Sequence, residues 1–285
     1  MAFDTDTLAE ILGRPVERMV PVRGGDVAES YPATLADGTA VFAKTHSRAP
    51  EGFFTTESRG LEWLRDAHCV AVPEVLAVSD DPPALVLEWV EPGRPTPDTE
   101  ADFGRALAAL HLAGAPSFGR EDGRTTGSRR LPNTPTERWA DFYAQNRLLP
   151  LARLARDDGA LPAASITRIE SVAARLPELG PPDDEPPSRL HGDLWAGNRL
   201  IDAGGVSWLI DPAAHGGHRE FDVSMMLLFG GFGQDCYDAY HDAAPLADGW
   251  RARVPLHQLA PLIVHAIKFG GSYVDATADA LGRLG

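Results

Sequence analysis

His191-Gly-Asp193-Leu-Trp195-Ala-Gly-Asn198, with Leu209-Ile210-Asp211-Pro212 after it, is the stretch that decides how this chain is read. Asp193 and Asn198 stand at the spacing H-x-D-x-x-x-x-N of loops that catalyse phosphoryl transfer. Chemistry accounts for the spacing. One end of such a loop turns a carboxylate toward a substrate hydroxyl, and the other offers an amide oxygen to a metal. A second carboxylate on a nearby strand completes a set of hard oxygen ligands of the kind Mg2+ takes. Asp211 ends an apolar strand 13 residues after Asn198 and stands where that ligand belongs. Taken singly, H-G-D is a common turn, and an Asp after a strand is commonly an N-cap. The complete set, flanked by apolar strands, is far more specific and points to a phosphotransferase.

A second constellation lies upstream. Lys44 ends the apolar run Val41-Phe-Ala-Lys44, and Glu57 follows 13 residues later in a segment of helical periodicity. A lysine that touches nucleotide phosphates while a helix glutamate holds it is the other half of the same chemistry. Of the 26 basic residues only Lys44 and Lys268 are lysine. A chain that writes arginine by habit keeps lysine where a compact, flexible ammonium is needed. Glu51 and Glu62 flank Glu57, but helix phase and the following Gly60-Leu61 favour Glu57.

Working outward, residues 5–13 read as a short helix with Leu8, Ile11 and Leu12 on one face and Gly13 at its end. Strands are expected at 19–22, 29–32 and 40–44, with Ala36-Asp37-Gly38 as a hairpin signal. A helix over 53–67 and strands over 75–78 and 84–90 complete a small, mostly antiparallel sheet. Glu91-Pro-Gly-Arg-Pro-Thr-Pro97 is the clearest linker. Beyond it, helices are expected at 98–112, 135–156, 163–176, 219–229, 234–243 and 255–269, with short strands at 199–202 and 206–210. The expected fold class is α+β, in two lobes. Residues 1–90 form a nucleotide-binding lobe, 91–97 a hinge, and 98–285 a helical lobe with the catalytic loop and substrate site.

Composition narrows the partners. The 285 residues are 44% hydrophobic and 24% charged, ordinary globular values that exclude global disorder. A net charge of −15 repels nucleic acid and anionic lipid, and the basic pair Arg129-Arg130 is too small to offset it. No run approaches the roughly 20 apolar residues that span a bilayer. The acidic start is unlike a basic signal peptide, and Cys69 and Cys236 cannot build a disulfide framework, so a cytoplasmic location is expected.

On the motifs quoted, with His215-Gly-Gly-His218-Arg-Glu220-Phe-Asp222 and Met226-Leu-Leu-Phe-Gly-Gly-Phe232 after them, the chain resembles the fructosamine-3-kinase family. That family shares a protein-kinase-like fold with aminoglycoside phosphotransferases and choline kinases. Trp195 stands where those relatives often carry His. The resemblance implies phosphorylation of a sugar hydroxyl of a ketoamine, free or on a glycated protein, by ATP with Mg2+, as a step in deglycation. Residue by residue, it implies Asp193 as catalytic base, Asn198 and Asp211 as metal ligands, and Lys44 with Glu57 as the phosphate-anchoring pair. Glu88, Trp89 and Val90 resemble the hinge that holds adenine, and Asp222 the carboxylate that braces the catalytic loop. The loop Arg23-Gly-Gly-Asp26-Val-Ala-Glu29 departs from G-x-G-x-x-G. Trp195 occupies the position where protein kinases carry a charge-neutralising lysine. An indole supplies no charge but offers a flat wall for a sugar and its amine, so Trp195 is read as a substrate residue.

Other patterns carry less. His215 and His218 form H-x-x-H but lack further zinc ligands in the sequence. No G-x-S-x-G elbow provides a serine nucleophile. The alternatives kept are an aminoglycoside- or choline-type phosphotransferase and a catalytically silent nucleotide-binding protein. The particular ketoamine and the oligomeric state are not legible.

Overall fold

The computed structural model describes residues 3–22, 28–121, 131–182 and 185–285. The loop Arg23–Glu29, apart from its last two residues, and the pair Arg129-Arg130 lie outside them. The first helix is α1 (Thr5–Leu12), capped by the Asp4 carboxylate and ended by Gly13 at φ 64°. The strands β1 (Val16–Met19), β2 (Glu29–Leu35), β3 (Ala40–Thr45), β4 (Val75–Asp80) and β5 (Pro83–Glu88) form one antiparallel sheet, with α2 (Phe53–Arg65) between β3 and β4. The strand order is β1-β2-β3-β5-β4. The first strand lies earlier than the expected 19–22: its last residue, Met19, pairs with Ala33, and beyond it Val22 makes an isolated bridge to Ser30. Pro21 has no N–H to give a ladder there.

The two faces of the sheet bury different partners. Leu8 of α1 packs with Leu35, Val41, Ala43 and Val86 on one face. On the other, Leu85 and Leu87 join Phe54, Leu61 and Leu64 of α2, and this core runs on to Leu107, Leu194, Leu209 and Met226. Burial on both faces is why Ala84–Leu87 is uninterrupted apolar sequence.

The second half is helical: α3 (Thr99–Leu112), α4 (Trp139–Tyr143), α5 (Leu149–Asp157), α6 (Ala163–Ala174), α7 (Leu176–Leu179), α8 (Glu220–Phe229), α9 (Gln234–Ala243), α10 (Trp250–Phe269) and α11 (Ser272–Arg283). Two small hairpin-like pairs interrupt it, β6 (Ser188–Leu190) with β9 (His215–Gly217), and β7 (Arg199–Ile201) with β8 (Ser207–Leu209). The 91–97 stretch is pinned to the second pair, because the Gly93 N–H donates to Ile201 O at 2.7 Å.

Three departures from the sequence reading have local causes. The single helix expected at 135–156 contains a π-helical turn, Ala144–Leu148, just before Pro150, whose missing N–H breaks the regular ladder. The helix expected from 255 starts at Trp250 and runs through Pro255 and Pro261. Pro261 cannot donate back to the His257 carbonyl, and the Tyr143 hydroxyl supplies a bond to that oxygen at 3.2 Å and to Leu256 O at 2.8 Å. Finally, α11 follows Gly270-Gly271, where the sequence shows only a stop signal.

Candidate active site

Lys44 lies near the end of β3, paired across the sheet with Ser30 and Leu85, and so points from a fixed strand toward α2. Its Nζ donates to Glu57 Oε1 at 2.7 Å and to Asp211 Oδ1 at 2.6 Å. Lys44 and Glu57 are buried, whereas the Asp211 side chain is 46% exposed. Burial alone would lower the Lys44 pKa, but the charges of Glu57 and Asp211 raise it above its ordinary value, so the ammonium stays charged. Glu51 and Glu62 are exposed, and Glu57 is the glutamate that meets Lys44.

The loop from His191 to Asn198 is built around Ile210. The buried His191 ring accepts the Asp193 N–H at Nδ1, 3.2 Å, so its Nε2 carries the proton and donates to Ile210 O at 2.9 Å. The Ile210 N–H donates to the Asn198 carbonyl at 3.0 Å. Both backbone groups of Ile210 are thus held by the loop, which fixes where Asp211 emerges. Asp211 has φ 54°, a left-handed conformation, immediately before Pro212. Such a backbone costs on the order of 1–3 kcal/mol and persists where its surroundings over-determine it.

Asn198 gives both amide hydrogens to Asp193, through Nδ2 to Asp193 O at 2.8 Å and Oδ2 at 3.1 Å. Its Oδ1 is thereby reserved as an oxygen donor. Burial raises the Asp193 carboxyl above its ordinary value, and His191 and Asn198 oppose that rise. Asn198 Oδ1 and the half-exposed Asp211 carboxylate are hard oxygen donors and fit Mg2+ in type.

Asp222 of α8, fully buried, braces the start of the loop. Its Oδ2 accepts the His191 N–H at 2.7 Å, and its Oδ1 accepts the Gly192 N–H at 2.9 Å. His111 of α3 donates from Nε2 to Asp222 at 3.3 Å, while its Nδ1 accepts from the Tyr240 hydroxyl at 2.8 Å. Burial would raise the Asp222 carboxyl, but the His111 hydrogen bond and the neighbouring donors hold it below its ordinary range. Asp222→Ala strands two backbone donors and an imidazole, and should lower unfolding stability by about 3 kcal/mol. A urea midpoint equal to the parent's would show that the brace is dispensable.

Trp195 is 42% exposed. A side-chain carbon at Gly197 would lie 2.2 Å from its ring, so glycine there is what lets the indole fold back over the loop. Glu88 ends β5, with its N–H on Glu74 O at 2.9 Å; Trp89 follows, its Nε1 donating to Glu91 at 2.8 Å and its ring 6.5 Å from Phe42; Val90 is buried. These three lie apart from the Lys44 and Asp193 groups in the contacts they make. Among the described residues His215 joins no cluster of metal-ligating groups: its Nδ1 donates to Ala213 O at 2.8 Å, its ring stacks on Phe142, and burial lowers its pKa to about 3. His218 instead lies with Glu220 and His257; Arg253 doubly engages Glu220 and Arg219 engages Glu185 beside them, while His257 Nδ1 is buried with no hydrogen-bond partner among the described residues.

The fructosamine kinase family model matches residues 4–284. The chain belongs to the fructosamine kinase family. It is therefore a kinase that transfers phosphate to an alcohol group. Similar proteins include the "Probable ketoamine kinase" of Enterococcus faecium, 35% identical over 90% of this chain and 91% of that one, and that of Synechocystis, 34% identical over 96% and 93%. A Thermobifida fusca protein provisionally named a fructosamine-3-kinase superposes with a TM-score of 0.90 at 42% identity, covering 98% of this chain and 97% of that one. Aminoglycoside phosphotransferase APH(4)-Ia shares the fold, with a TM-score of 0.63 at 15% identity, over 99% and 97%. No helix among the described residues is long and apolar enough to cross a membrane.

Sequence reasoning missed the ring system beyond Trp195. Phe229, His265, Phe269 and Tyr273 come together from α8, α10 and the start of α11, and no linear motif announces them. The signal present was the pair Gly270-Gly271, which permits the sharp return between two helices.

Proposed function

We propose that this family member is an ATP-dependent ketoamine kinase, phosphorylating a sugar hydroxyl of a glycated amine in the cytoplasm as a step in deglycation. The observation that carries the reading is the single ammonium of Lys44 shared by Glu57 and Asp211, with Asp193 and Asn198 bonded to each other on the loop that holds Asp211. Residues 1–90 hold the nucleotide, 91–97 join the lobes, and 98–285 carry the loop and the acceptor site. The backbone at Glu88, Trp89 and Val90 receives adenine, and Lys44 receives the phosphates. Asp193 orients the acceptor hydroxyl and takes its proton as the oxygen bonds to the γ-phosphorus and ADP departs. Asn198 and Asp211 would hold Mg2+, which supplies charge neutralisation on the phosphates. Phosphoryl transfer asks mainly for positioning and electrostatics, and these groups provide both.

The test is to incubate the purified protein with MgATP and a panel of ketoamines, aminoglycosides and choline, and to locate the new phosphate by NMR. Ketoamine phosphorylation is expected. Readier turnover of aminoglycosides or choline overturns the substrate class, and no turnover with nucleotide bound marks a silent relative.

Trp195 forms the wall against which the sugar and its ammonium rest. Contacts of that kind are worth about 0.5–2 kcal/mol. Trp195→Ala should therefore raise KM for the ketoamine several-fold or more and leave KM for ATP nearly unchanged. An equal rise in both would make the indole a packing residue.

A further inference from the structure

Asn198 is held through its amide by Asp193 and through its carbonyl by the Ile210 N–H, and a further hold comes from the residue after it. Arg199 opens β7, and its guanidinium turns back to α3. There both terminal nitrogens donate to the Glu100 carboxylate, Nη1 to Oε2 at 3.3 Å and Nη2 to Oε1. The Arg199 side chain is only 5% exposed. It lies 5.0 Å from the centres of both the Phe103 and the Phe232 ring, which stack on each other at 5.7 Å. Glu100, Phe103 and Gly104 share one face of α3 by their i, i+3, i+4 spacing. Gly104 lets that face sit against α9, since a Cβ there would fall 2.2 Å from Cys236 O.

Glu100 has a second duty. Its Oε2 accepts the Gly233 N–H at 2.7 Å, so the same carboxylate fixes the 230–233 turn between α8 and α9. That turn lies on the catalytic loop: a Cβ at Gly231, φ 89°, would fall 2.2 Å from Ala196 Cβ. Arg199 thus holds the 196–198 turn from the strand side, and Glu100 seats the 230–233 turn against it from the other. Resting on the ketoamine kinase reading, in which Asn198 holds Mg2+, we infer that Arg199 and Glu100 are positioning residues that aim Asn198 Oδ1 at the cation. Neither touches nucleotide, acceptor or metal in this role; both act through the 196–198 turn. With the clasp loosened, the amide oxygen is presented in a spread of orientations, so cation affinity falls although every ligand is still there.

The test reads cation binding without turnover. Mn2+ is titrated into the protein's complex with a non-hydrolysable ATP analogue, and free Mn2+ is followed by its paramagnetic resonance signal. Arg199→Lys keeps the charge and loses the planar fork, whereas Glu100→Gln keeps an acceptor for Gly233 and loses the charge. Each should weaken Mn2+ binding about tenfold, a cost typical of removing a group that supports a metal ligand, with the number of sites unchanged. The double variant should bind no more weakly than the worse single one, because the two residues form one clasp. A pair that only stabilises the fold gives a different result: a lower melting midpoint and fewer sites, with parent affinity at those that remain. That result overturns the proposal, and so does parent affinity at full occupancy in both variants. Asn198→Ala is the reference, and it should weaken binding at least as much. If it does and the clasp variants do not, the metal-ligand reading stands and the clasp alone is refuted. If Asn198→Ala itself binds Mn2+ like the parent, Asn198 is no metal ligand, and the proposal falls with that reading.

Discussion

Asp193→Asn should lower turnover by on the order of 10²–10⁴, the range for loss of a general base. The substitution keeps size and planar shape, and an amide oxygen at 193 still accepts from Asn198 Nδ2, now 3.1 Å from the carboxylate. What disappears is the negative charge and the capacity to receive the hydroxyl proton. Because Asp193 does not touch Lys44 or Glu57 in the structure, nucleotide affinity should be nearly that of the parent. Stopped turnover with intact nucleotide binding, measured by quench and by equilibrium titration on one preparation, is the expected pair of results. Parent-like turnover would remove Asp193 from the chemistry.

Asp211→Asn should cost on the order of 10²–10³ in turnover, comparable to removing one preorganised electrostatic partner from a transition state. Asparagine tolerates the left-handed backbone that Asp211 adopts at φ 54°, so the fold should survive. The loss should appear with a displaced Mg2+ dependence, since a charged oxygen donor becomes neutral. Titrating the rate against Mg2+ at fixed ATP checks both together. If the variant saturates at the parent's Mg2+ concentration, Asp211 serves Lys44 and the backbone but no cation.

Much of this arrangement was legible because its parts are short and local. His191 to Asn198 is one loop, and the spacing alone brought Asp193 and Asn198 within a hydrogen bond. Lys44 and Glu57 were readable because a strand residue and a residue in the next helix meet at a small sequence separation. The Lys44–Asp211 contact joins residues 167 apart and was not read from the sequence, which paired Lys44 with Glu57 alone, since no periodicity encodes it. Helix limits failed where compensation was tertiary. Pro261 is tolerated because Tyr143, on a distant helix, bonds the carbonyl that proline leaves unserved. The ring system beyond Trp195 was invisible for the same reason: Phe229, His265 and Tyr273 sit in separate elements, and nothing in the sequence pairs them. His111 is buried, and its two hydrogen bonds to Asp222 and Tyr240 depend on helices brought together by the fold.

The ammonium that joins β3 to the strand end at Asp211 has a consequence for how the cleft meets its nucleotide. A site whose two sides were held apart by like charges would have to spend binding energy closing itself around each incoming molecule. Here Lys44, buried and tied to Glu57 on one side and Asp211 on the other, acts as an internal counter-ion. The alignment of the two walls is fixed when the chain folds, and the ordering cost is met once rather than at every turnover. Affinity for the nucleotide is then governed by exchange of partners around a charge already in place, not by the assembly of the site.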